Sequence, residues 1–358
     1  MGGTQDEILA LAVVPSPQVA GRKRQRDPAC RFPRETFRRN PLQGNNLYFE
    51  RLFPRVNSPR SRPSVTRHGG LWYNPRPMIR ENRRVHARKK RDSGLLDRVL
   101  ESWGLAAHAP PTLDTLNALH SAYLTRVPFE NATKLIKAAR AGSARGAIRG
   151  PVEFWEEYLR WGSGGTCFAA TNAYQFLLRY VGFSSRPVFC QLPATDPDAH
   201  SALLVTVGEQ PVLVDVGYAL PAPLPLPGGT ALRRATPFYD LEIRTGPQGE
   251  YLVFSEDDRG SRFRYRFTLR DVADAEYSRA WRSTFRPDAP YMGRLALGRF
   301  KDGTRYLYKN PGSVFVITRA GEAERSLDEP SGAALADLFA IPKPLIEAAL
   351  SSLAALAR

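Results

Sequence analysis

The chain has 358 residues, 42% of them hydrophobic, which is long enough for two or three domains with buried cores. Its net charge of +16 is uneven, because residues 1–92 hold 21 basic and 7 acidic side chains and the remainder is nearly neutral. No stretch reaches the ~18 apolar residues of a membrane-spanning helix, and no membrane partner is expected.

Residues 1–92 predict a basic disordered tail, because they combine scattered prolines with no sustained helical or strand period. The basic runs GRKRQR and ARKKR permit weak binding of nucleic acid or another polyanion. A solvated extension explains the same composition, as does a start codon placed upstream of Met78.

Residues 93–182 predict a helical bundle. Apolar side chains recur at helical spacing from Leu95 to Trp103, and a second such stripe includes His120. A proline at position 151 suits the first residue of a further helix. His120 has no metal-ligand spacing to another histidine, so we interpret it as a packing residue.

The last predicted helix of this bundle, over 167–181, begins at Cys167 and stops at Gly182. A thiol in the first turn faces unpaired backbone N–H groups and the positive end of the helix dipole, and both favour the thiolate. The sequence therefore predicts Cys167 as a nucleophile. Gly164 and Gly165 precede it, and we expect them to let backbone and substrate come close.

After Gly182 the spacing of apolar side chains changes from the helical period to an alternation with period two. Short β-rich runs separated by Gly, Pro and Asp turns predict an antiparallel β-barrel over 183–285: PVFCQL, HSALLVTV, PVLVDVGYA, FYDLEIRT, YLVFSE and RFRYRFTL. His200 is the only histidine after Cys167, and Asp215 is the only acid of its run. An acid among apolar neighbours is costly to bury unless it is paired. Cys167, His200 and Asp215 are therefore the candidate catalytic triad.

The hairpin between the second and third runs offers a geometric prediction. If Gly208-Glu209 forms a two-residue type II′ turn, Val207 pairs with Gln210. Asp215 then lies on the same face as His200, within reach of a hydrogen bond between carboxylate and imidazole.

The region 286–358 predicts a C-terminal α/β lid, with three strand-like runs followed by one Ala/Leu-rich helix. The three cysteines, Cys30, Cys167 and Cys190, form no even disulfide framework, which indicates a reducing, cytoplasmic compartment. Cys190 lies inside a predicted strand with no basic neighbour evident, so we expect an inert packed thiol. No nucleotide fingerprint is met and no metal is implied.

Four motifs follow one another along the chain: VPFEN (127–131), GGTCF (164–168), AHSALLV (199–205) and LVDVGYA (213–219). In these motifs and in their order, the chain from about residue 95 onward resembles the arylamine N-acetyltransferases. The resemblance implies an α+β fold with a cysteine-protease-like Cys-His-Asp core. It implies that Cys167 takes an acetyl group from acetyl-CoA and passes it to an arylamine or hydrazine-type amine. It also places Phe129 beside the acceptor amine; residues that would bind the coenzyme are not identified.

The chain departs from the family pattern RGG-x-C-x-E-x-N, because Ser163, Ala169 and Thr171 replace its Arg, Glu and Asn, and Ala219 replaces the second glycine of VGFG. These departures bear on acceptor choice and rate. One alternative is an amide synthase that joins a polyketide-like acyl thioester to an amine. An alternative of another class is a catalytically silent scaffold whose basic tail binds nucleic acid.

Overall fold

The computed structural model describes residues 92–258, 260–310, 312–326 and 332–357. The predicted tail therefore lies outside the described residues except for Asp92, as do Cys30 and Met78. The helices in the described part are α1 over 92–103, α2 (Leu113–Arg126), α3 (Ala132–Ala141), α4 (Ala144–Ala147), α5 (Pro151–Trp161), α6 (Cys167–Val181), α7 (Asp274–Ser283), α8 (Gly332–Phe339) and α9 (Lys343–Leu356).

Local signals in the sequence set the ends of these helices. The Thr112 hydroxyl caps α2 by accepting the Thr115 N–H at 3.2 Å. Pro151 stands in the first turn of α5, where its missing N–H costs nothing. Gly182 ends α6 in the left-handed conformation, at φ 109°, as the sequence predicts.

Four helices, α1, α2, α5 and α6, bury one aromatic core. Trp155 of α5 is fully buried and makes edge-to-face contacts with Trp103 and Tyr123. Its indole N–H donates to the Ala173 carbonyl of α6 at 2.9 Å. The buried face of α6 includes Leu177 and completes this core, so the helix that begins at Cys167 is held firmly along its length.

Eight antiparallel strands form the predicted barrel in the order β5-β4-β3-β2-β9-β8-β7-β6. They are β2 (Ser184–Gln191), β3 (His200–Val207), β4 (Gln210–Val214), β5 (Leu224–Pro225), β6 (Ala231–Arg234), β7 (Asp240–Thr245), β8 (Tyr251–Asp257) and β9 (Gly260–Phe267). The sequence does not predict β5 and β6, because two and four residues are too few to show an alternation.

The β3–β4 hairpin has the predicted register. Val207 pairs with Gln210 and Leu203 with Val214, where the ladder ends one residue before Asp215. Gly208 has φ 60° and Glu209 has no positive φ, which is the sign pattern of a type II′ turn.

The second sheet joins the helical region to the C-terminal part of the chain. Its order is β1-β10-β11-β12-β13, with β1 (Phe129–Glu130), β10 (Leu297–Lys301), β11 (Thr304–Asn310), β12 (Ser313–Thr318) and β13 (Gly321–Ser326). Asn131 reinforces the junction, because its side chain bonds to the backbone of Tyr291, Arg294 and Ala296 at 2.7 Å each. The VPFEN segment thus belongs to both regions, and the predicted domain boundaries at 182 and 285 stay a prediction.

The C-terminal helix is not continuous, which corrects the prediction of a single one. The chain breaks between α8 and α9 at Ala340, which has φ 53°, and Pro342 caps α9. The pyrrolidine ring of Pro342 removes a backbone donor and disfavours a helical residue before it, so one helix cannot pass through. None of the described helices combines the length and hydrophobicity needed to cross a bilayer.

Candidate active site

Cys167 lies at the first residue of α6, as its place in the sequence predicts. Its side chain is partly exposed, and the residue before it, Thr166, begins the helix without a side-chain cap. The first-turn N–H groups therefore have no side-chain oxygen from the cap residue in front of them, and they favour negative charge on the sulfur.

The loop before Cys167 passes unusually close to the rest of the protein. A Cβ built on Gly164 would lie 1.7 Å from the Pro128 carbonyl oxygen, and one on Gly165 would lie 2.9 Å from an Arg149 guanidinium nitrogen. Both glycines are therefore required by contacts within the chain. This corrects the expectation that they leave room for substrate, because protein atoms occupy that space.

His200 and Asp215 meet as the hairpin register predicts. His200 Nε2 lies 2.8 Å from Asp215 Oδ2, and both side chains are buried. The other carboxylate oxygen, Oδ1, accepts the Tyr218 backbone N–H at 2.8 Å. The carboxylate is thus held on both sides, so the predicted hydrogen bond between Asp215 and His200 is confirmed.

Cys167 lies close to His200, since a Cβ built on Gly217 would meet Cys167 Cβ at 2.7 Å and His200 Cε1 at 3.2 Å. Because Nε2 is bonded to Asp215, Nδ1 is the ring nitrogen left to face the thiol. Burial disfavours the charged imidazole, but the Asp215 carboxylate, by charge and hydrogen bond, and Cys167 together raise the pKa of His200 to about 10. An imidazolium beside the sulfur at neutral pH favours the thiolate.

Gly217 is a site residue that sequence reasoning missed. A Cβ built there would lie 2.7 Å from both Cα and Cβ of Cys167 and 3.2 Å from Cε1 of His200. No side chain fits between these groups, so the glycine lets the two halves of the site touch. The signal that could have found it is the family pattern VGFG, because Gly217 stands at the first glycine of that pattern.

Lys134 of α3 is a second residue that sequence reasoning missed. Its ammonium is buried, donates to the Thr284 carbonyl at 2.6 Å and lies 4.9 Å from the centre of the Phe285 ring. Burial lowers the pKa of Lys134 to about 8, although its interaction with Cys167 opposes the shift. It is therefore a cation close enough to Cys167 to affect it electrostatically.

Cys190 is fully buried on β2, which agrees with the expected packed thiol. One premise of that expectation is wrong, because Cys190 pairs with His200 across the β2–β3 ladder and so has a basic neighbour. Burial, with the charges of Asp215 and Cys167, raises the pKa of the Cys190 thiol well above its ordinary value. The proton stays on sulfur at neutral pH, and the thiol has no route to solvent.

Phe129 lies on β1 next to the nucleophile loop, through a bridge between its backbone and Gly165. It packs edge to face on Tyr291, with ring centroids 5.3 Å apart, and is partly exposed. The structure thus brings Phe129 toward the loop of Cys167; its contact with an acceptor amine stays a prediction.

The residues that depart from the family pattern occupy four different environments. Ser163 is fully buried, and its hydroxyl has no hydrogen-bond partner among the described residues. The Thr171 hydroxyl donates to the Ser201 carbonyl at 2.8 Å, beside His200. Ala169 lines a small cleft together with Lys134, and Ala219 has φ 61°.

The site combines a partly exposed thiol at a helix N-terminus with an imidazole and a buried carboxylate. These three groups are the components of nucleophilic catalysis by a thiol. Within the described residues, no group of three or more His, Cys, Asp or Glu side chains is arranged to hold a metal ion. The arrangement suits transfer of an acyl group through a covalent intermediate on sulfur.

Similarity to known proteins points to the same class. A family model described as N-acetyltransferase matches residues 112–311. The arylamine N-acetyltransferase of Escherichia coli (strain K12) is 30% identical over 163 residues, which are 44% of this chain and 51% of that protein. An uncharacterized acetyltransferase, YvcN, of Bacillus subtilis (strain 168) is 26% identical over 155 residues, 41% of this chain and 58% of that protein. The chain spans less than two thirds of each of these relatives.

Solved structures agree with this in fold. The arylamine N-acetyltransferase from Salmonella typhimurium superposes with a TM-score of 0.61 at 20% identity, covering 72% of this chain and 98% of its own. The Mycobacterium marinum arylamine N-acetyltransferase in complex with CoA gives a TM-score of 0.57 at 21% identity, covering 71% and 98%. The predicted α+β class of N-terminal helices, antiparallel barrel and C-terminal sheet with helices is confirmed. Because the family model covers more than half of the sequence, the chain belongs to the arylamine N-acetyltransferase family.

Proposed function

We propose that this chain transfers an acetyl group from acetyl-CoA to an arylamine or hydrazine-type amine, through an acetyl group carried on Cys167. The observation that carries the proposal is the buried hydrogen bond of 2.8 Å between His200 and Asp215, with Cys167 packed close to the same imidazole across Gly217. A buried carboxylate that fixes an imidazole beside a thiol orients the ring and supports its positive charge.

In the first half of the reaction, the Cys167 thiolate attacks the thioester carbonyl of acetyl-CoA. The carbon–sulfur bond to the coenzyme breaks, and the coenzyme thiolate takes the imidazolium proton of His200 as it leaves. The product is a thioester between the acetyl group and Cys167, with His200 neutral and Asp215 still ionised.

In the second half, the amine nitrogen attacks the acetyl carbonyl on Cys167. The amine proton passes to His200, the carbon–sulfur bond to Cys167 breaks, and the amide leaves. The thiolate and imidazolium are restored together, so one pair of residues serves both halves. Phe129 would pack on the ring of the acceptor, since it lies beside the nucleophile loop and keeps part of its face open.

One observation supports acetyl-CoA as the donor: the M. marinum arylamine N-acetyltransferase, which this chain resembles in fold, was solved in complex with CoA. The small cleft lined by Thr166 and Ala169 does not discriminate between acyl donors, because Cys167 is not among the residues that line it. The amide-synthase alternative, which calls for a large acyl pocket, therefore stays open. The two thiols in the described residues are unpaired, in keeping with the reducing, cytoplasmic compartment that the proposal includes.

The test is the intact mass of the protein after mixing with acetyl-CoA and no acceptor. We expect a gain of one acetyl group that Cys167→Ala abolishes and Cys190→Ala preserves, because Cys167 alone combines the helix N-terminus with the imidazole. Addition of an arylamine should return the mass to its starting value. An adduct that maps to Cys190 would contradict the assignment, and no adduct combined with salt-sensitive retention on DNA would favour the scaffold alternative.

A further inference from the structure

Arg149, in the segment between α4 and α5, buries a guanidinium beside the nucleophile loop. Its Nη1 donates to Glu157 Oε2 at 2.5 Å, and its Nη2 donates to the backbone carbonyl of Gly164. The same nitrogen lies 3.9 Å from Glu130 Oε1, and the guanidinium lies 4.6 Å from the centre of the Phe154 ring. One side chain thus joins two carboxylates, an aromatic face and the loop.

A buried ion pair of this kind is weak evidence for stability alone. Taking both charges out of water costs several kcal/mol, and well-packed apolar side chains of similar volume are often as stabilising. The burial of Glu157 raises the pKa of its carboxyl even with Arg149 attached. Stability alone therefore does not account for the buried Arg149 guanidinium. Besides its ion pairs, it donates a hydrogen bond to the backbone carbonyl of Gly164.

The Gly164 carbonyl matters because it belongs to the loop that leads directly into Cys167. A trans peptide is planar, so fixing that carbonyl fixes the orientation of the whole Gly164–Gly165 unit. The next carbonyl, of Gly165, accepts the Glu130 N–H at 3.4 Å, and the Glu130 carboxylate accepts the Thr133 N–H at 2.9 Å. Two successive carbonyls are therefore anchored, and Cys167 stands two residues beyond the second.

The position of this guanidinium also explains two departures from the family pattern. Ser163 and Ala169 stand where the pattern has an arginine and a glutamate, so both charges are missing from the loop and helix. A Cβ built on Gly165 would lie 2.9 Å from Arg149 Nη2 and 3.2 Å from Ala169 Cβ. The guanidinium is therefore near Ala169, the position at which the family pattern has its glutamate. Arg149 and Glu157 bring a pair of opposite charges from outside the motif.

We propose that Arg149 is a positioning residue for the nucleophile, holding the Gly164–Gly165 backbone so that Cys167 stays aligned with His200. The inference rests on the proposed function, because it assigns Arg149 an effect on the acylation of Cys167. It acts through the loop and touches neither substrate nor the reacting atoms.

The test uses a double variant, Arg149→Met with Glu157→Gln, because the single change would leave the Glu157 carboxylate buried and unpaired. Glu130, the other carboxylate near Arg149, keeps its hydrogen bonds from the Thr133 N–H and hydroxyl. We expect it to fold, with the far-UV circular dichroism of the wild type. The maximal rate of acetyl-enzyme formation, measured by quenched mass spectrometry, should fall about 10- to 100-fold, since small misplacements of a reacting group have effects of that size. The acetyl-CoA concentration for half-maximal rate should stay within about twofold, which a general loss of structure would not produce.

The barrel offers a control pair of the same residue types, with a more exposed arginine. Arg244 donates twice to Glu242, at 2.9 and 2.8 Å, and its guanidinium lies 4.4 Å from the centre of the Phe254 ring, remote in sequence from the loop. Arg244→Met with Glu242→Gln should change the acylation rate by less than about twofold. In addition, Arg149→Lys should recover part of the rate lost by the double variant, because an ammonium can still bond to the Gly164 carbonyl.

Two results would overturn the inference: a double variant that acylates at the wild-type rate, or an Arg149→Lys variant no faster than the double variant. Alkylation of Cys167 by iodoacetamide, measured in parallel, separates this from failure of the proposed function, because it needs no acetyl-CoA. If the wild type forms no acetyl-enzyme, the proposed function fails. The alkylation rate then tests the inference. A double variant alkylated about 10-fold more slowly than the wild type supports it, and one alkylated at the wild-type rate overturns it.

Discussion

The two halves of the candidate site are held in different ways. His200 and Asp215 sit at the end of a regular hairpin, where ladder pairing and a two-residue turn fix their relation. Cys167 follows an irregular loop that is anchored by the Arg149 guanidinium and by the backbone N–H of Glu130, both from other parts of the chain. One half is thus specified locally by the backbone pattern, and the other by individual long-range contacts.

The two halves should therefore differ in how well their geometry tolerates substitutions. A hairpin register is protected by every pair along the ladder, because a slip of one residue would turn all its side chains to the wrong face. A loop fixed by two single contacts, one from the Arg149 guanidinium and one from the Glu130 N–H, has less redundancy. We therefore expect changes on the hairpin side to act through chemistry, and changes on the loop side to act through geometry.

The largest effect is expected on the hairpin side, from Asp215→Asn. Without the carboxylate charge, burial dominates, and the pKa of His200 should fall from about 10 to below its ordinary 6.5. The imidazolium would be lost at neutral pH, so acetyl-enzyme formation should drop by about 10³-fold or more, the scale on which an orienting acid acts in such triads.

The same variant makes a prediction about stability and pH. A histidine whose folded-state pKa is raised contributes stability that is complete below pH 6.5 and disappears as the pH rises through about 10. The free energy of unfolding of the wild type, from urea titrations between pH 6 and pH 10, should include this decline, and Asp215→Asn should lack it. Parallel pH profiles for the two proteins would show that Asp215 does not control the charge of His200.

The second prediction concerns the point where the two halves touch. Gly217→Ala would place a methyl group 2.7 Å from Cα and Cβ of Cys167, so the thiol and the imidazole must separate. We expect acetyl-enzyme formation to fall by about 10²-fold with the hairpin register intact. Mass spectrometry gives the rate and circular dichroism reports the fold.

Gly228→Ala is the control for this change, because a Cβ at Gly228 meets nothing within 4 Å and the residue has no positive φ. It should leave the rate within about twofold of the wild type. A Gly217→Ala protein that acylates as fast as the Gly228→Ala protein would mean that the close packing at Cys167 has no bearing on its reactivity.

The sequence predicts the hairpin half well for a physical reason. Alternation with period two, a Gly-Glu turn and a lone acid in an apolar run are all local signals, and the register follows from counting. The position of Cys167 at a helix start is equally local. The break before α9 could also have been predicted, because Pro342 stands in the middle of the apolar run.

The residues that the sequence does not reveal depend on contacts between distant segments. Arg149 binds a carbonyl 15 positions away, and nothing in its own segment indicates a buried charge. Lys134 follows the VPFEN motif, on a helix whose buried face could equally have been apolar. Gly217 is required only because the Cys167 backbone comes within contact of it. Such roles arise from tertiary packing, which local periodicity does not encode.

The last and smallest predicted effect concerns Ala219, which lies just past Asp215 on the hairpin side and has φ 61°. An alanine in the left-handed conformation is strained by about 1 kcal/mol relative to glycine. Ala219 is also buried, so Ala219→Gly removes a methyl group that contributes about 0.8 kcal/mol, and the two effects nearly cancel. The free energy of unfolding should therefore rise by only about 0.2 kcal/mol.

Ala194 separates these two contributions, because it has φ 56° but is exposed. Ala194→Gly should relieve the backbone strain without losing a buried methyl, and raise the free energy of unfolding by about 1 kcal/mol in urea titrations. Neither change should alter acetyl-enzyme formation by more than about twofold, since the Asp215 carboxylate keeps its bonds to His200 and to the Tyr218 N–H. If Ala219→Gly instead slowed acylation tenfold at unchanged stability, the turn after Asp215 would depend on that methyl group, and the hairpin half would be held by side-chain packing as well as by its backbone.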